Sequence, residues 1–294
     1  MSLIMHHGIL STLKVTAPAM ADNTIMFRFS DSSYDPSSLT TLTGATWTQV
    51  SSSPNVWLWD GSSVVETDWS NAFGSKWTSY GTNNVEIIDA GILTTPTSLG
   101  SGNRPYPGMF KGNTGLVSVA CTLSFPNAIN GSRIFNTCRN ISGSVTLNLP
   151  SATDIGDLFG GNNSTSNVGI TAVSITTSNA LANANQVFRG CTALQSFSIS
   201  NTAYVSNFGY LCNNCTALKY VPLLATDSVT NVSYMFQACR SVEGGALALY
   251  TQMSTQTHPP TTISSCFKYC GSNTTTGAAE LAQIPTTWGG TMAV

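Results

Sequence analysis

The sequence predicts a repeat solenoid preceded by a β-rich domain, and three observations carry that prediction. A five-residue motif recurs along the C-terminal two-thirds, the apolar residues around it fall into columns, and the composition shifts ahead of the first copy. The motif reads MFKGN ending at Asn113, IFNTC at Cys138, LFGGN at Asn162, VFRGC at Cys191, LCNNC at Cys215, MFQAC at Cys239 and CFKYC at Cys270. Its spacings are 25, 24, 29, 24, 24 and 31 residues, as expected of units that bury an apolar edge only against their neighbours.

Four residues before the Cys/Asn column stand Met109, Ile134, Leu158, Val187, Leu211, Met235 and Cys266. Three before it stand Phe110, Phe135, Phe159, Phe188, Cys212, Phe236 and Phe267. Both columns are expected in the core. Downstream, Leu194/Phe197/Ile199, Leu218/Val221/Leu223 and Leu116/Val119/Cys121 follow L-x-x-L-x-L; Ile141/Val145/Leu147 fits with one inserted residue, and Val242/Gly245/Leu247 is a weaker fifth. The spacing ends in period-2 alternation, which predicts a short strand in each unit. The segments TAYVSNF, TDSVTNV and SATDIGDL supply Asn, Asp, Ser and Thr for turns and caps.

The same columns account for all eight cysteines. Five share the column with Asn113 and Asn162, Cys212 and Cys266 replace core apolar residues, and Cys121 replaces a strand leucine. Free, buried, structural thiols are the favoured reading. A zinc site is disfavoured, because no second C-x-x-C lies at ligand spacing and His6, His7 and His258 are distant in sequence. Disulfides between stacked neighbours remain open for an exported chain. Where Asn takes the column, its amide is expected to bond turn carbonyls.

Composition narrows the function classes. Of 294 residues, 41% are hydrophobic but only 8% are charged, against roughly 25% in ordinary domains, so Ser, Thr, Asn and Gly must build a neutral polar coat. With 11 basic and 13 acidic residues the net charge is −2 and no basic run exists, which argues against nucleic-acid binding through a basic face. No apolar run is long enough for a membrane span. The start MSLIMHHGILSTLKV lacks the charged and apolar regions of a signal peptide, so Sec export is not expected from it.

Ahead of Asn103 the chain carries Trp47, Trp57, Trp59, Trp69 and Trp77, five of its six tryptophans. NTIMFRFS, ATWTQV and NVWLWDG read as strands, and WSNAFGSKW as a turn or two of helix with Trp69, Phe73 and Trp77 on one side. The resulting organisation is an N-terminal arm over 1–21, a β-rich cap or anchoring domain over 22–100, a seven-unit solenoid over 101–273 and a C-terminal cap over 274–294 in which Trp288 covers the last apolar layer. The cluster Trp57, Trp59, Trp69 and Trp77 is read as the core of the β domain, with a carbohydrate platform as the alternative.

The L-x-x-L-x-L strands, the NVSYMF segment and the F-x-x-C ending together resemble the BspA-like leucine-rich-repeat family of bacterial surface proteins. Leu218 to Leu223, Val229 to Cys239 and Phe188 to Ile199 match best, and the resemblance covers roughly residues 100 to 275. It implies a right-handed, leucine-rich-repeat-like solenoid with a parallel sheet on one face and short helices or turns on the other, acting in adhesion or scaffolding without catalytic residues. The N-terminal portion and the ending AAELAQIPTTWGG resemble modules of gut-bacteriophage structural proteins that carry the same repeats. That implies a virion protein, which leaves the host by lysis and needs no signal.

Catalytic signals are sparse. Asp154 and Asp157 flank a turn where other units carry Asn207 or Asn231, so capping is expected of them rather than acid–base work. Asp31 and Asp35, with Asp60, Glu66 or Asp68 as further carboxylates, form no D-x-D-x-D-G calcium loop. Neither a nucleophile elbow near a histidine nor a phosphate loop is present. The expectation is a non-enzymatic display protein on the exterior of a phage particle, without cofactor or metal, whose partners are other virion proteins, with a homo-oligomer open. The alternative is a bacterial surface adhesin whose partner is a glycan or protein. The outward strand residues Gln195, Ser196, Ser198, Lys219 and Tyr220 are the candidate contacts.

Overall fold

Backbone hydrogen bonds in the repeat region run from one turn of the chain to the next. The amides of Phe110, Phe135, Phe159 and Phe188 donate to the carbonyls of Ile134, Leu158, Val187 and Leu211 at 2.8–2.9 Å, so each unit is completed only by its successor. The computed structural model describes residues 19–39, 41–50, 53, 55–74, 84–100, 107–160 and 169–292. It is a β-solenoid with a parallel sheet and few helices.

Strands β5 (Leu116–Val119), β6 (Thr122–Ser124), β7 (Ser142–Asn148), β8 (Gly169–Thr176) and β9 (Ser196–Ile199) come from the repeats. β6, β7, β8 and β9 pair in parallel in that order, and Leu123, Leu147 and Ile175 share one inward row with Ile199. Leu194, Phe197 and Ile199 are buried, as are Ile141, Val145 and Leu147. The next unit departs from its pattern. Pro222 has no amide to donate and its φ is fixed, so the strand stops after one bridge at Tyr220; Leu223 is 67% exposed while Leu224 is buried. The unit after that forms no strand either, because Gly245 at φ +94° opens helix α1 (Ala246–Thr255), leaving Leu247 partly buried.

The predicted Phe column is a stack of rings. Phe73, Phe110, Phe135, Phe159 and Phe188 follow one another at 5.1, 5.3, 5.4 and 6.0 Å with interplanar angles of 15° or less; Cys212 interrupts the stack, and Phe236 and Phe267 resume it at 6.2 Å. The Cys/Asn column closes each turn on the carbonyl of the Phe position. The amide of Cys138 donates to Phe135, that of Cys191 to Phe188 and that of Cys215 to Cys212. The side chains reach the preceding unit: Cys138, Cys215 and Cys239 Sγ donate to the carbonyls of Phe110, Phe188 and Cys212 at 2.8, 3.0 and 3.0 Å, and Asn113 Nδ2 donates to Phe73. A thiol and an amide alternate in one column because both are small buried donors. Asn162 lies outside the described residues.

The units ending at Cys138, Cys191, Cys215, Cys239 and Cys270 each spend two left-handed residues, one five positions and one a single position before the column. Arg133, Gln186, Tyr210, Tyr234 and Ser265 take the first place, and Thr137, Gly190, Asn214, Ala238 and Tyr269 the second; Asp157 takes the first ahead of Asn162, and Gly112 the second ahead of Asn113. Between strand and motif runs a ladder of parallel bridges, Asp68–Ser98–Asn130–Asp154–Asn183–Asn207–Asn231–Thr262. In most rungs the Asx Oδ1 accepts the amide two residues on, as Asp154 does from Gly156 at 2.7 Å. Asn231 and Asn183 also donate to Asn207 and Asp154 across rungs, each at 3.0 Å.

The expected strands ahead of the repeats are present as β1 (Thr24–Phe29), β2 (Thr46–Gln49) and β3 (Val56–Asp60), joined by β4 (Val85–Ala90). The sheet order is β2-β3-β1-β4-β5, antiparallel except where β4 meets β5 in parallel. The ring stack and the Asx ladder therefore begin at Phe73 and Asp68, ahead of residue 101. Trp69 and Phe73 do not sit on a helix. Their amides donate to Ser98 and Met109 in the following unit, an inter-turn pairing that displaces i to i−4 bonding. Residues 1–18, the bulk of the predicted arm, lie outside the described residues. At the other end α2 (Thr275–Leu281) packs on α1, and Trp288, 7% exposed, meets Tyr250 edge-on at 5.4 Å and accepts the Phe267 amide.

Candidate functional site

The outward face of the parallel sheet carries small neutral side chains. Ser144 and Thr146 of β7, Ala172 and Ser174 of β8, and Ser196 and Ser198 of β9 line a shallow depression of about 300 Å³. Inward alternation at Val145, Val173 and Phe197 puts these residues on the solvent side. Ser198 Oγ lies 3.2 Å from Ser174 Oγ, and charge is absent from the lining.

All five sequence-predicted contacts are exposed. Ser196 and Ser198 stand in β9; the amide of Gln195 donates to Thr171 at 2.8 Å and its carbonyl accepts from Lys219 at 3.1 Å, so the row continues past the last named strand. Lys219 and Tyr220 are drawn together by Glu243, whose two carboxylate oxygens lie 3.2 Å from Lys219 Nζ and 3.1 Å from Tyr220 OH. Those bonds, the tyrosine's included, hold the Glu243 carboxyl below its usual range. Tyr220, 60% exposed, and Leu223 form the apolar margin of this otherwise hydroxyl-lined face. Ser144, Thr146 and Ser174 were absent from the sequence-based set, although the same period-2 alternation in Ile141/Val145/Leu147 points them outward.

The tryptophans stand elsewhere. Trp59 and Trp69 are fully buried and meet edge-on at 5.3 Å, with Nε1 donating to Thr41 Oγ1 and the Glu66 carbonyl; Trp57 is 8% exposed. These indoles have no open face to offer a sugar ring. Trp77 lies outside the described residues. A second depression, about 270 Å³, lies on the same sheet between Arg28, Ser30, Asn55, Asn84 and Glu86, with an Arg28–Glu86 ion pair of 3.0 Å.

The carboxylates singled out in the sequence are engaged in turns. Asp31, Asp35 and Asp60 accept the amides of Ser33, Ser37 and Ser62 at 2.8 Å each, and Asp157 pairs with Arg133 at 2.7 Å. Among the described residues no group of three or more His, Cys, Asp or Glu is placed to hold a metal, and no helix is long and apolar enough to cross a membrane. Seven of the eight cysteines are buried and Cys121 half-buried, with no disulfide among them. Burial pushes the thiols upward, Cys121 and Cys212 to about 11 and Cys138 to about 12. No family model, curated protein or solved structure matches the chain.

Proposed function

We propose that this chain is a non-enzymatic display protein on the exterior of a bacteriophage particle, a leucine-rich-repeat-like solenoid whose N-terminal β-sheet serves as cap and anchor. The observation that carries the reading is the flat, uncharged hydroxyl face of β7, β8 and β9. A face preformed by inter-turn hydrogen bonds loses little ordering entropy when a partner docks. The resemblance of the N-terminal portion and of the ending AAELAQIPTTWGG to phage structural modules supplies the location. Other virion proteins are the partners.

A second reading, a bacterial surface adhesin, is favoured by the exposed Tyr220 and Leu223 beside the Lys219–Glu243 pair, since an aromatic and an aliphatic margin suits a protein or glycan ligand. Mass spectrometry of purified phage particles, with the host envelope fraction alongside, separates the two. Stoichiometric recovery in particles is expected, and recovery only in the envelope overturns the display reading in favour of the adhesin.

A further inference from the structure

A single aromatic ring ends one row of the hydroxyl-lined sheet face. Strand register sets Ser144, Ala172 and Ser196 side by side, and the bond from the Lys219 amide to the Gln195 carbonyl carries the register on, bringing Tyr220 next to Ser196. The neighbouring row is Thr146, Ser174 and Ser198, with the last two hydroxyls 3.2 Å apart. Parallel pairing spaces the rungs of both rows at about 4.8 Å.

Tyr220 is exposed and yet held in place. Its hydroxyl donates to Glu243 Oε2 at 3.1 Å while Lys219 Nζ donates to Oε1 at 3.2 Å, so the ring is tethered at both ends, by the backbone and by its tip. The residue bridged to it in the next rung is Gly244, which has no side chain to cover the ring, and α1 starts only at Ala246. Lys219 and Glu243 cancel each other, and the lining of the two rows carries no other charge.

We infer that these rows bind a neutral linear polysaccharide, one pyranose stacking its C–H face on Tyr220 and the following sugars hydrogen-bonding the hydroxyls of Ser196, Ser174 and Ser198 rung by rung. The advance per sugar along an extended pyranose chain is close to the rung spacing. Other occupants fit the face less well. Acidic polymers and nucleic acid require unpaired cations, which the rows lack. Protein interfaces bury roughly 800 Å² per partner around an apolar core. Here about five rungs of four residues span only about 20 by 13 Å, and Tyr220 and Leu223 are the large apolar side chains exposed on them. A ring already fixed in place loses little ordering entropy when a sugar stacks on it. The inference rests on the reading of this face as the surface the chain displays, with the N-terminal sheet as its anchor.

The test is affinity electrophoresis of the full-length chain in native gels containing glucomannan, hydroxyethylcellulose or polygalacturonate. Retardation by the two neutral polymers is expected, and none by polygalacturonate. Tyr220→Ala is expected to weaken binding about tenfold, through loss of the stacked ring, whereas Tyr220→Phe keeps the ring and most of the binding. Ser174→Lys puts a long side chain into the middle of the second row at an exposed position and is expected to weaken binding too, while Tyr269→Ala, which removes an exposed ring from another face, leaves it unchanged. No retardation by either neutral polymer, retardation that survives in both Tyr220→Ala and Ser174→Lys, an equal loss in Tyr269→Ala, or stronger retardation by polygalacturonate overturns the proposal. Whether the chain is recovered in phage particles or in the host envelope does not alter these outcomes, so failure of the location and failure of the ligand show separately.

Discussion

Two regions of this molecule bury aromatic rings in different ways. In the N-terminal sheet Phe27 meets Phe29 at 34° and Trp47 at 48°, and Trp59 meets Trp69 at 86°; in the repeats, successive Phe rings lie within 15° of parallel. The antiparallel strands give every ring a different set of neighbours, so each finds its own tilt. The stack repeats one backbone conformation at one spacing, and a ring in a fixed rotamer is simply translated. Stability in the first region is therefore shared among many contacts, whereas in the second it depends on each unit and its two neighbours.

Phe236→Ala breaks that translation most severely, removing a buried ring that stacks on Phe267 at 6.2 Å. A loss of roughly 3–5 kcal/mol by denaturant unfolding is expected. Lys219→Ala, on an exposed ion pair, should move stability by no more than about 0.5 kcal/mol; equal small losses at both positions would refute the column assignment.

Close approach comes next. A Cβ on Gly160 would lie 2.1 Å from the carbonyl of Gln186, a backbone atom of the next unit, so Gly160→Ala must push two turns apart. A cost of about 1–3 kcal/mol is expected, measured as a lowered melting temperature. An unchanged melting point would mean that the turns are not packed at this distance.

Cys215→Ala removes a buried sulfur and its bond to the Phe188 carbonyl, which keeps the amide of Cys191. The expected loss is smaller, about 1–2 kcal/mol. Thr137→Gly acts in the opposite direction, since a β-branched residue at φ +61° is strained and glycine is not. A gain of about 1 kcal/mol is expected, and destabilisation would show that Thr137 contributes more by contact than it costs by conformation.

What was legible in the sequence follows the same division. The Phe, Cys/Asn and apolar columns showed because translation repeats a residue type at a fixed interval. The first rungs at Asp68 and Ser98 did not, since they lie 30 and 32 residues from their successors, and the unit of Asp68 has Phe73-Gly-Ser-Lys76 in place of the F-x-x-C/N ending. The exposure of Leu223 was hidden because L-x-x-L-x-L records spacing alone, and Pro222 shifts the parity. The sequence favoured a core role for Trp57, Trp59 and Trp69, but what buries them is long-range: antiparallel pairing for Trp57 and Trp59, and an inter-turn bond to Ser98 for Trp69, neither of which strand periodicity determines. On the sheet face, Ser196 and Ser198 were readable from alternation, whereas the Glu243 bridge to Lys219 and Tyr220 joins residues 24 and 23 positions apart through the stack.

The most direct test of the stacked-unit account is native-state amide hydrogen exchange on the parent and on Phe236→Ala. Nearest-neighbour stacking predicts that protection falls in the turns around Cys212, Phe236 and Phe267 while the amides of β7 and β8 keep theirs. A uniform loss of protection across β7, β8 and β9 would contradict it, showing one cooperative core rather than a stack of units.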